Sequence, residues 1–225
     1  MSGFLEAAAA APIIHPTDLV GARPLVILAP HPDDETLGCG ALLFDCAAAG
    51  VPCTVICVTD GSRSHPNSRA YPAMALADLR RGEFEAAVSM LAPYARTHWL
   101  GLPDCGIPPD AGIVDLLPPN ALLLATWEGD PHIDHEMTAR LAARAAAKRP
   151  DIALMLYPVW GRFTDRCVPV FHLHASPAAR HAKRAALACH RSQMTSLIQD
   201  DPEGFVMEDW RQQHFLETEE IVIAP

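Results

Sequence analysis

The sequence has no long hydrophobic run. Among its 225 residues, no unbroken apolar segment approaches the roughly 20 residues that a membrane-spanning helix requires. The opening segment, MSGFLEAAAAAPIIH, contains no basic residue ahead of its short alanine tract, unlike a secretory signal peptide. We therefore expect a cytoplasmic protein with no membrane span.

Positively charged residues are outnumbered. The chain has 17 Lys and Arg residues against 27 Asp and Glu residues, its formal charge is −10, and no basic run is longer than a pair. Such a chain repels a phosphate backbone and has no basic patch to hold one. We therefore expect no nucleic-acid partner.

The cysteines lack the spacing of a metal site or a disulfide framework. There are seven of them, none forms a CxxC pair, and most lie in apolar or helical segments. This pattern disfavours a structural zinc site built from cysteine. Reduced thiols, as in cytoplasmic proteins, are the expectation.

Hydrophobic residues make up 50% of the chain, which is enough to bury one sizeable core. We expect a single domain over residues 1–225. Its core should extend from about residue 22 to about residue 160, and a small C-terminal subdomain should cover residues 161–225.

Short apolar runs alternate with longer helical patterns in the core. This alternation predicts an α/β fold, with a Rossmann-like, mostly parallel sheet and helices on both faces. The predicted strands cover residues 25–29, 53–58, 98–100, 121–125 and 152–156, and the predicted helices cover 36–49, 73–91 and 132–148. Ligands of such sheets bind beyond the carboxyl ends of the strands, where the polar loop 60–72 should also lie.

The pattern changes in the C-terminal part. Residues 163–174 show no regular pattern, residues 177–198 predict one helix, and residues 220–223 predict a last extended segment. We expect this part to form a subdomain that packs on the sheet.

A histidine and three carboxylates follow the first predicted core strand. His31 precedes Pro32, which favours an extended residue and the end of the strand. Asp33, Asp34 and Glu35 then fall at the start of the next helix. Helix capping, at about 1 kcal/mol or less per carboxylate, explains the acids but not the histidine.

A second cluster, WEGDPHIDH at residues 127–135, follows the fourth predicted strand. His132 and His135 are three residues apart and share a face of the helix. Because parallel strands end at one edge, the two clusters can converge on one crevice. Imidazoles and carboxylates together form the ligand set of a catalytic divalent metal. The spacing leaves open whether Asp33 or Asp34 is the ligand.

Several motifs together resemble those of one enzyme family. They are PHPDDETLGCG at 30–40, TDGS at 59–62, Arg80 and Glu83 spaced R-x-x-E, LGLPDCG at 100–106, GDPHIDH at 129–135, YPVW at 157–160 and HRSQ at 190–193. The sequence resembles the LmbE/PIG-L family of zinc-dependent deacetylases, which act mainly on molecules that contain N-acetylglucosamine. HPDDE and the later H-x-D-H, taken as a pair, are the most specific of these motifs.

The resemblance implies a role for each of the candidate residues. It implies three zinc ligands, namely His31, Asp34 and His135. Asp33 is implied as the general base, and His132 as the group that stabilises the tetrahedral oxyanion, with Asp134 tuning it. Two residues are implied as substrate contacts, namely Arg63 and Asp104.

The implied activity is that of a metal-dependent amidohydrolase acting on linear amide C–N bonds. It would remove an acetyl group from an N-acetylated aminosugar or glycoconjugate and release acetate and a free amine. The cofactor would be Zn²⁺, and the same ligand set accepts Fe²⁺. The sequence leaves the substrate, the pathway and the oligomeric state open, and a homo-oligomer is compatible with it.

Two other functions are compatible with parts of this pattern. His31, Asp34 and His135 could form the triad of a non-haem Fe(II) oxygenase, although the α/β pattern fits that class poorly. A non-catalytic sugar-binding module would keep these ligands but would not need Asp33 and His132. Release of acetate distinguishes the hydrolase from both.

Overall fold

A computed structural model of the chain describes residues 2–224. Its strands are β1 (Ile13–Ile14), β2 (Leu25–Ala29), β3 (Cys53–Thr59), β4 (Arg96–Leu102), β5 (Leu122–Thr126), β6 (Ala153–Tyr157), β7 (Val170–Leu173) and β8 (Glu220–Ile223). Its α-helices are α1 (Gly3–Ala8), α2 (Pro16–Val20), α3 (Asp34–Ala48), α4 (Ala73–Leu91), α5 (Ile133–Lys148), α6 (Pro177–Leu187), α7 (Arg191–Met194) and α8 (Asp209–Glu217). None of the helices in this range is long and apolar enough to cross a membrane.

The strands of the described residues form one sheet in the order β1-β7-β8-β6-β5-β2-β3-β4. β8 runs antiparallel to both of its neighbours, and the other pairings are parallel. β2 pairs with both β3 and β5, so the chain extends the sheet first to one side of β2 and later to the other. This mostly parallel sheet confirms the predicted α/β fold class. Ligands of such sheets bind where the strand order reverses, beyond the carboxyl ends of the strands.

Successive residues of β2 face two separate hydrophobic cores. Ile27 lies in one core with Leu42 of α3 and Phe84 of α4. Its neighbour Leu28 lies in the opposite core with Leu141 of α5. Because helices cover both faces of the sheet, every residue of β2 is buried, which explains its unbroken apolar sequence.

The core elements lie close to their predicted positions. β2 and α4 have the predicted bounds, and the ends of the other predicted core strands and helices differ by at most two residues. Apolar runs and helical periodicity are local properties of the sequence, so they place these elements reliably.

Two predictions in the C-terminal part are wrong. The helix predicted over 177–198 ends at Leu187, and the short helix α7 follows separately. Between them the chain turns inward, so that His190 is fully buried with its Nε2 3.1 Å from Glu35 Oε1. Residues 163–174 were predicted to be irregular but contain β7. This strand depends on pairing with β1 and β8, which a local pattern does not reveal.

The C-terminal part also extends the sheet. β7 and β8 lie between β1 and β6, so residues 161–224 contribute two strands to the sheet that the core begins. α6 packs against α3 and α4 on one face of that sheet. The segment expected to form a subdomain on the sheet is therefore joined to it by backbone hydrogen bonds.

Candidate active site

A cavity of about 500 Å³ lies at the carboxyl ends of the central strands. It is bounded by the turn after β2, the loops after β3 and β4, and the start of α5. Six of the eight predicted site residues line it, namely His31, Asp33, Asp34, Arg63, Asp104 and His132. The other two, Asp134 and His135, are fully buried and contact this lining. The structure therefore brings the two sequence clusters together.

Asp34 lies between the two histidines predicted to share a metal with it. Its Oδ2 is 3.2 Å from His31 Nδ1 and 3.3 Å from His135 Nε2. Although burial opposes it, the two histidines hold the pKa of Asp34 well below its usual range. The carboxylate is therefore ionised, as a metal ligand must be.

A second carboxylate orients the ring of His135. Its Nδ1 lies 2.8 Å from Asp130 Oδ2, and both side chains are fully buried. Asp130 is held in turn by the backbone N–H groups of Val159, Trp160 and Gly161. Nε2 of His135 is buried and makes no hydrogen bond within residues 2–224. A carboxylate on one ring nitrogen and a second nitrogen without a hydrogen bond, directed at another carboxylate, is the arrangement of metal-binding histidines, so this donor set fits a divalent cation.

His31 contacts two further carboxylates through its other ring nitrogen. Nε2 lies 3.1 Å from Asp134 Oδ2 and 3.6 Å from Asp104 Oδ1. The Asp134 carboxylate lies against His31, although its charge also acts to raise the pKa of His132, the residue that it was expected to tune. Only the backbone N–H of Asp134 reaches that ring, donating to Nδ1 at 3.2 Å, because His132 caps the N-terminus of α5. The Asp134 carboxylate, which also accepts the N–H of Cys105, positions His31 instead.

This capping contact fixes the proton position on His132. Because Nδ1 accepts a hydrogen bond from Asp134, a neutral ring carries its proton on Nε2. Burial lowers the pKa of His132, and the nearby His31 and His135 lower it further. His132 is therefore a neutral hydrogen-bond donor in the cavity lining.

The same residues offer two overlapping groups of cation ligands. One nitrogen from each of His31, His132 and His135 lies within 4.8 Å of the others, and the same holds for atoms of His31, Asp104 and Asp134. Both groups contain His31, and so does the predicted ligand set of His31, Asp34 and His135. His31 is therefore the common point of the candidate cation sites in this cavity.

Asp33 lies beside these ligands in a strained backbone conformation. Its φ is +121°, a region that residues with a Cβ rarely adopt. Its N–H donates to Glu35 Oε2 at 3.0 Å, and its Oδ2 accepts from Arg80 Nη2 at 3.2 Å. Arg80 is buried and also donates to the carbonyl groups of Pro32 and Gly61. Burial raises the pKa of Asp33 to about 7, with Arg80 opposing the shift, so this carboxyl group can exchange a proton near neutral pH.

The outer lining of the cavity mixes aromatic and charged side chains. Trp160 and Phe205 meet edge to face, with ring centroids 5.7 Å apart. Arg63 is exposed, and its backbone N–H donates to Asp104 Oδ2 at 2.9 Å, which joins the loops after β3 and β4. Glu203 adds an exposed negative charge. An aromatic surface beside polar groups suits a ligand with apolar ring faces and polar edges.

Sequence reasoning missed several residues of the site. Arg80 and Asp130 lie inside motifs that carry the family resemblance. Asp130 also lies a few residues after the end of a predicted strand, a position that could have indicated a site residue. Phe205 and Met207 come from an irregular segment before α8. No local pattern indicates that this segment reaches the cavity.

Solved structures share the architecture of this chain. N,N'-diacetylchitobiose deacetylase from Pyrococcus horikoshii has a TM-score of 0.66 and 22% identity, over 89% of this chain and 77% of that one. The zinc-inhibited form of teicoplanin deacetylase has a TM-score of 0.64 and 19% identity, over 88% and 96%. The 4-carboxy-2-hydroxymuconate hydratase from Pseudomonas putida has a TM-score of 0.61 and 17% identity, over 87% and 82%. Because this fold serves both deacetylases and a hydratase, these similarities establish the fold and not the reaction.

Family membership follows from the sequence rather than from the shape. None of the curated proteins compared with the chain matches it. The family model for PIG-L, GlcNAc-PI de-N-acetylase, matches residues 26–146, which is more than half of the chain. The matched range begins in β2 and ends in α5, so it contains both of the clusters that converge in the cavity. As its motifs implied, the chain belongs to the PIG-L (LmbE-like) family.

Proposed function

We propose that the chain is a zinc-dependent deacetylase that hydrolyses the acetamide group of an N-acetylated aminosugar. The observation that carries the proposal is the convergence of Asp34 with two histidines while Asp33 is held apart by Arg80. This arrangement supplies separate groups for holding a cation and for moving a proton. The products would be acetate and a free amine.

Three side chains would hold the cation, namely His31, Asp34 and His135. The opposite nitrogen of each ring faces a carboxylate, Asp134 for His31 and Asp130 for His135, which supports Nδ1 and Nε2 respectively as the ligand atoms. When bound, zinc polarises the amide carbonyl and acidifies a water molecule, and Fe²⁺ can take its place in such a ligand set.

Asp33 would accept the proton of the attacking water molecule. Its pKa of about 7 matches the requirement that a general base be ionised and still basic near neutral pH. Arg80 holds the carboxylate through Oδ2 and keeps it from turning away. The leaving nitrogen must gain one proton to depart as a neutral amine. Asp33 takes up one proton from the attacking water molecule, so the two proton transfers balance.

His132 would stabilise the negative charge that develops on the carbonyl oxygen. Its neutral ring carries a proton on Nε2, because Nδ1 accepts from the Asp134 N–H. A fixed donor costs no reorganisation when the charge appears, so it lowers the barrier more than a mobile water molecule would.

The cavity supports an aminosugar as the substrate class. Trp160 and Phe205 offer aromatic surface to the sugar ring, and Arg63 and Asp104 offer polar contacts to its hydroxyl groups. Two structurally similar proteins are described as deacetylases of N,N'-diacetylchitobiose and of teicoplanin, which supports the same class here.

Acetate release tests the proposal. The purified protein is assayed against N-acetylglucosamine, N,N'-diacetylchitobiose and N-acetylglucosaminyl glycosides, first as isolated, then with a chelator, and then with Zn²⁺ or Fe²⁺ restored. We expect acetate from at least one substrate, loss of activity with the chelator and recovery with metal. Equal acetate release in the chelator contradicts the proposal, and oxygen consumption without acetate favours an Fe(II) oxygenase.

A further inference from the structure

We infer that Glu35 and His190 are positioning residues, which hold the general base Asp33 in its working orientation. The inference rests on the proposed function, in which Asp33 takes up a proton. Both side chains are fully buried. They would therefore act through Asp33 and not by touching the substrate.

Asp33 needs support from a side chain other than its own. It occupies the N-cap position of α3 with φ +121° and ψ −31°, and its side chain makes no capping hydrogen bond. An aspartate at this position usually holds the turn with its own carboxylate. Here that carboxylate pairs with Arg80 instead, at 3.2 Å, so it does not hold the strained backbone of its own residue.

Glu35 supplies this support. Its Oε2 accepts the N–H of Asp33 at 3.0 Å. Its Oε1 accepts the hydroxyl of Thr36 at 2.6 Å and lies 3.1 Å from His190 Nε2. Because both oxygens are engaged in the buried interior, the carboxylate cannot rotate away, and the N–H of Asp33 is fixed in direction.

His190 reaches Glu35 from a distant part of the chain. It lies between α6 and α7, where the predicted single helix is interrupted. Within the described residues its Nδ1 makes no hydrogen bond, so its polar contacts are those of Nε2 with Glu35 and Thr36. A buried polar pair adds little net stability over an apolar pair of similar size, so its presence favours a role in orienting Asp33.

Removal of the Glu35 carboxylate should slow catalysis without releasing the metal. Glu35→Ala is expected to lower kcat about a hundredfold, the loss typical of a displaced catalytic group. KM and bound zinc should change by less than about twofold. Glu35→Gln keeps an oxygen acceptor for the Asp33 N–H and should recover most of this loss. Thr36→Val removes one bond to Glu35 and the contact to His190 but leaves the bond to Asp33, so its loss in kcat should be smaller than that of Glu35→Ala.

A double-mutant cycle separates positioning from general damage. In an Asp33→Asn background, Glu35→Ala should lower the residual kcat by less than about twofold, because its effect passes through Asp33. A loss of similar size in both backgrounds overturns the inference. So does loss of zinc from Glu35→Ala, since the residue would then support the ligands.

Hydrogen exchange provides a second readout that needs no turnover. In metal-free protein, the Asp33 amide should exchange at least about tenfold faster in Glu35→Ala than in the wild type, while amides in the middle of α3 stay protected. An unchanged rate at Asp33 overturns the inference. If Glu35→Ala does not fold, His190→Leu removes the partner of the same carboxylate without supplying a new donor and should give the same kind of change.

The two proposals fail in distinguishable ways. Wild-type protein that releases no acetate from any substrate contradicts the proposed function, and the exchange rate of Asp33 still decides whether Glu35 holds it. Wild-type protein that releases acetate, with Glu35→Ala unchanged in kcat, contradicts the positioning role alone.

Discussion

Asp33 and Asp34 are adjacent and have the same side chain, yet their pKa values are shifted in opposite directions. Asp34 faces two histidines, which keep it ionised despite its burial. Burial dominates at Asp33, where Arg80 only partly offsets the rise to about 7. Pairs of titratable groups whose surroundings separate their pKa values divide acid, base and ligand roles between them.

This division of roles predicts different losses in two variants. Asp33→Asn should retain bound zinc and lower kcat by about 10²–10⁴, the range for removal of a general base. His135→Ala should lose the zinc itself, because it removes a ligand atom. Metal analysis of the purified variants, together with kcat, provides the comparison. Equal zinc loss in both would show that Asp33 is a ligand as well.

His132→Ala should act on the rate and not on the metal. Loss of an oxyanion donor lowers kcat by about 10²–10³. His132→Gln keeps an N–H donor at a similar position and should retain part of the rate. Zinc content should stay at the wild-type level in both variants. A variant without zinc would assign His132 to the group of three histidines that can hold a cation.

Zinc affinity should weaken as the pH falls. Although burial opposes it, Asp34 and Asp130 raise the pKa of His135 to about 9 in the metal-free protein. The ring must lose this proton to bind a cation, so below that pH the affinity should fall at least about tenfold per pH unit. Competition titrations with a chelator at two pH values provide the measurement. A constant affinity would contradict the pairing of His135 with these carboxylates.

At the scale of elements, the site depends on how closely α3 approaches β6. A Cβ on Gly38 of α3 would lie 2.2 Å from Cδ2 of Tyr157. Tyr157 is fully buried and donates from its hydroxyl to the Leu28 carbonyl oxygen at 3.0 Å, so its ring cannot move aside. Because α3 begins at Asp34, a displaced helix would also move Asp34, the proposed ligand, and Asp33, the proposed base.

Two glycine substitutions in helices should therefore have opposite effects. Gly38→Ala should lower the free energy of unfolding by about 1–3 kcal/mol, because overpacking outweighs the better helix propensity of alanine. Gly82→Ala in α4 is the matched control, since a Cβ there meets nothing within 4 Å, and it should raise stability by about 0.4–1 kcal/mol. Denaturant titrations measure both. A stabilised Gly38→Ala variant would contradict the close approach of α3 to β6.

The elements differ in how far the sequence can predict them. β2 and α4 were predictable because an apolar run and a helical period are local signals. β7 and the end of α6 were not, because they depend on pairing with β8 and on the burial of His190 against Glu35. These contacts join residues that are far apart in the chain, and a local pattern does not contain them.

At the scale of the whole molecule, the order of the strands explains why the site exists. β2 and β5 are parallel neighbours, with Leu25 opposite Leu122 and Leu28 opposite Ala125. The segments that follow them therefore leave the same edge of the sheet side by side. The convergence of the HPDDE and H-x-D-H motifs was predictable for this reason. The side chains that Asp134 contacts and the position of Phe205 in the cavity lining were not, because both depend on side-chain packing.

The position of the bound metal tests whether Asp34 is a ligand while Asp33 stays free. Crystals of zinc-loaded protein, measured at the zinc absorption edge, give an anomalous difference map that locates the ion. We expect one peak at about 2.0–2.2 Å from His31 Nδ1, Asp34 and His135 Nε2, with Asp33 outside coordination distance. A peak held by His31, Asp104 and Asp134, or by Asp33, would contradict it.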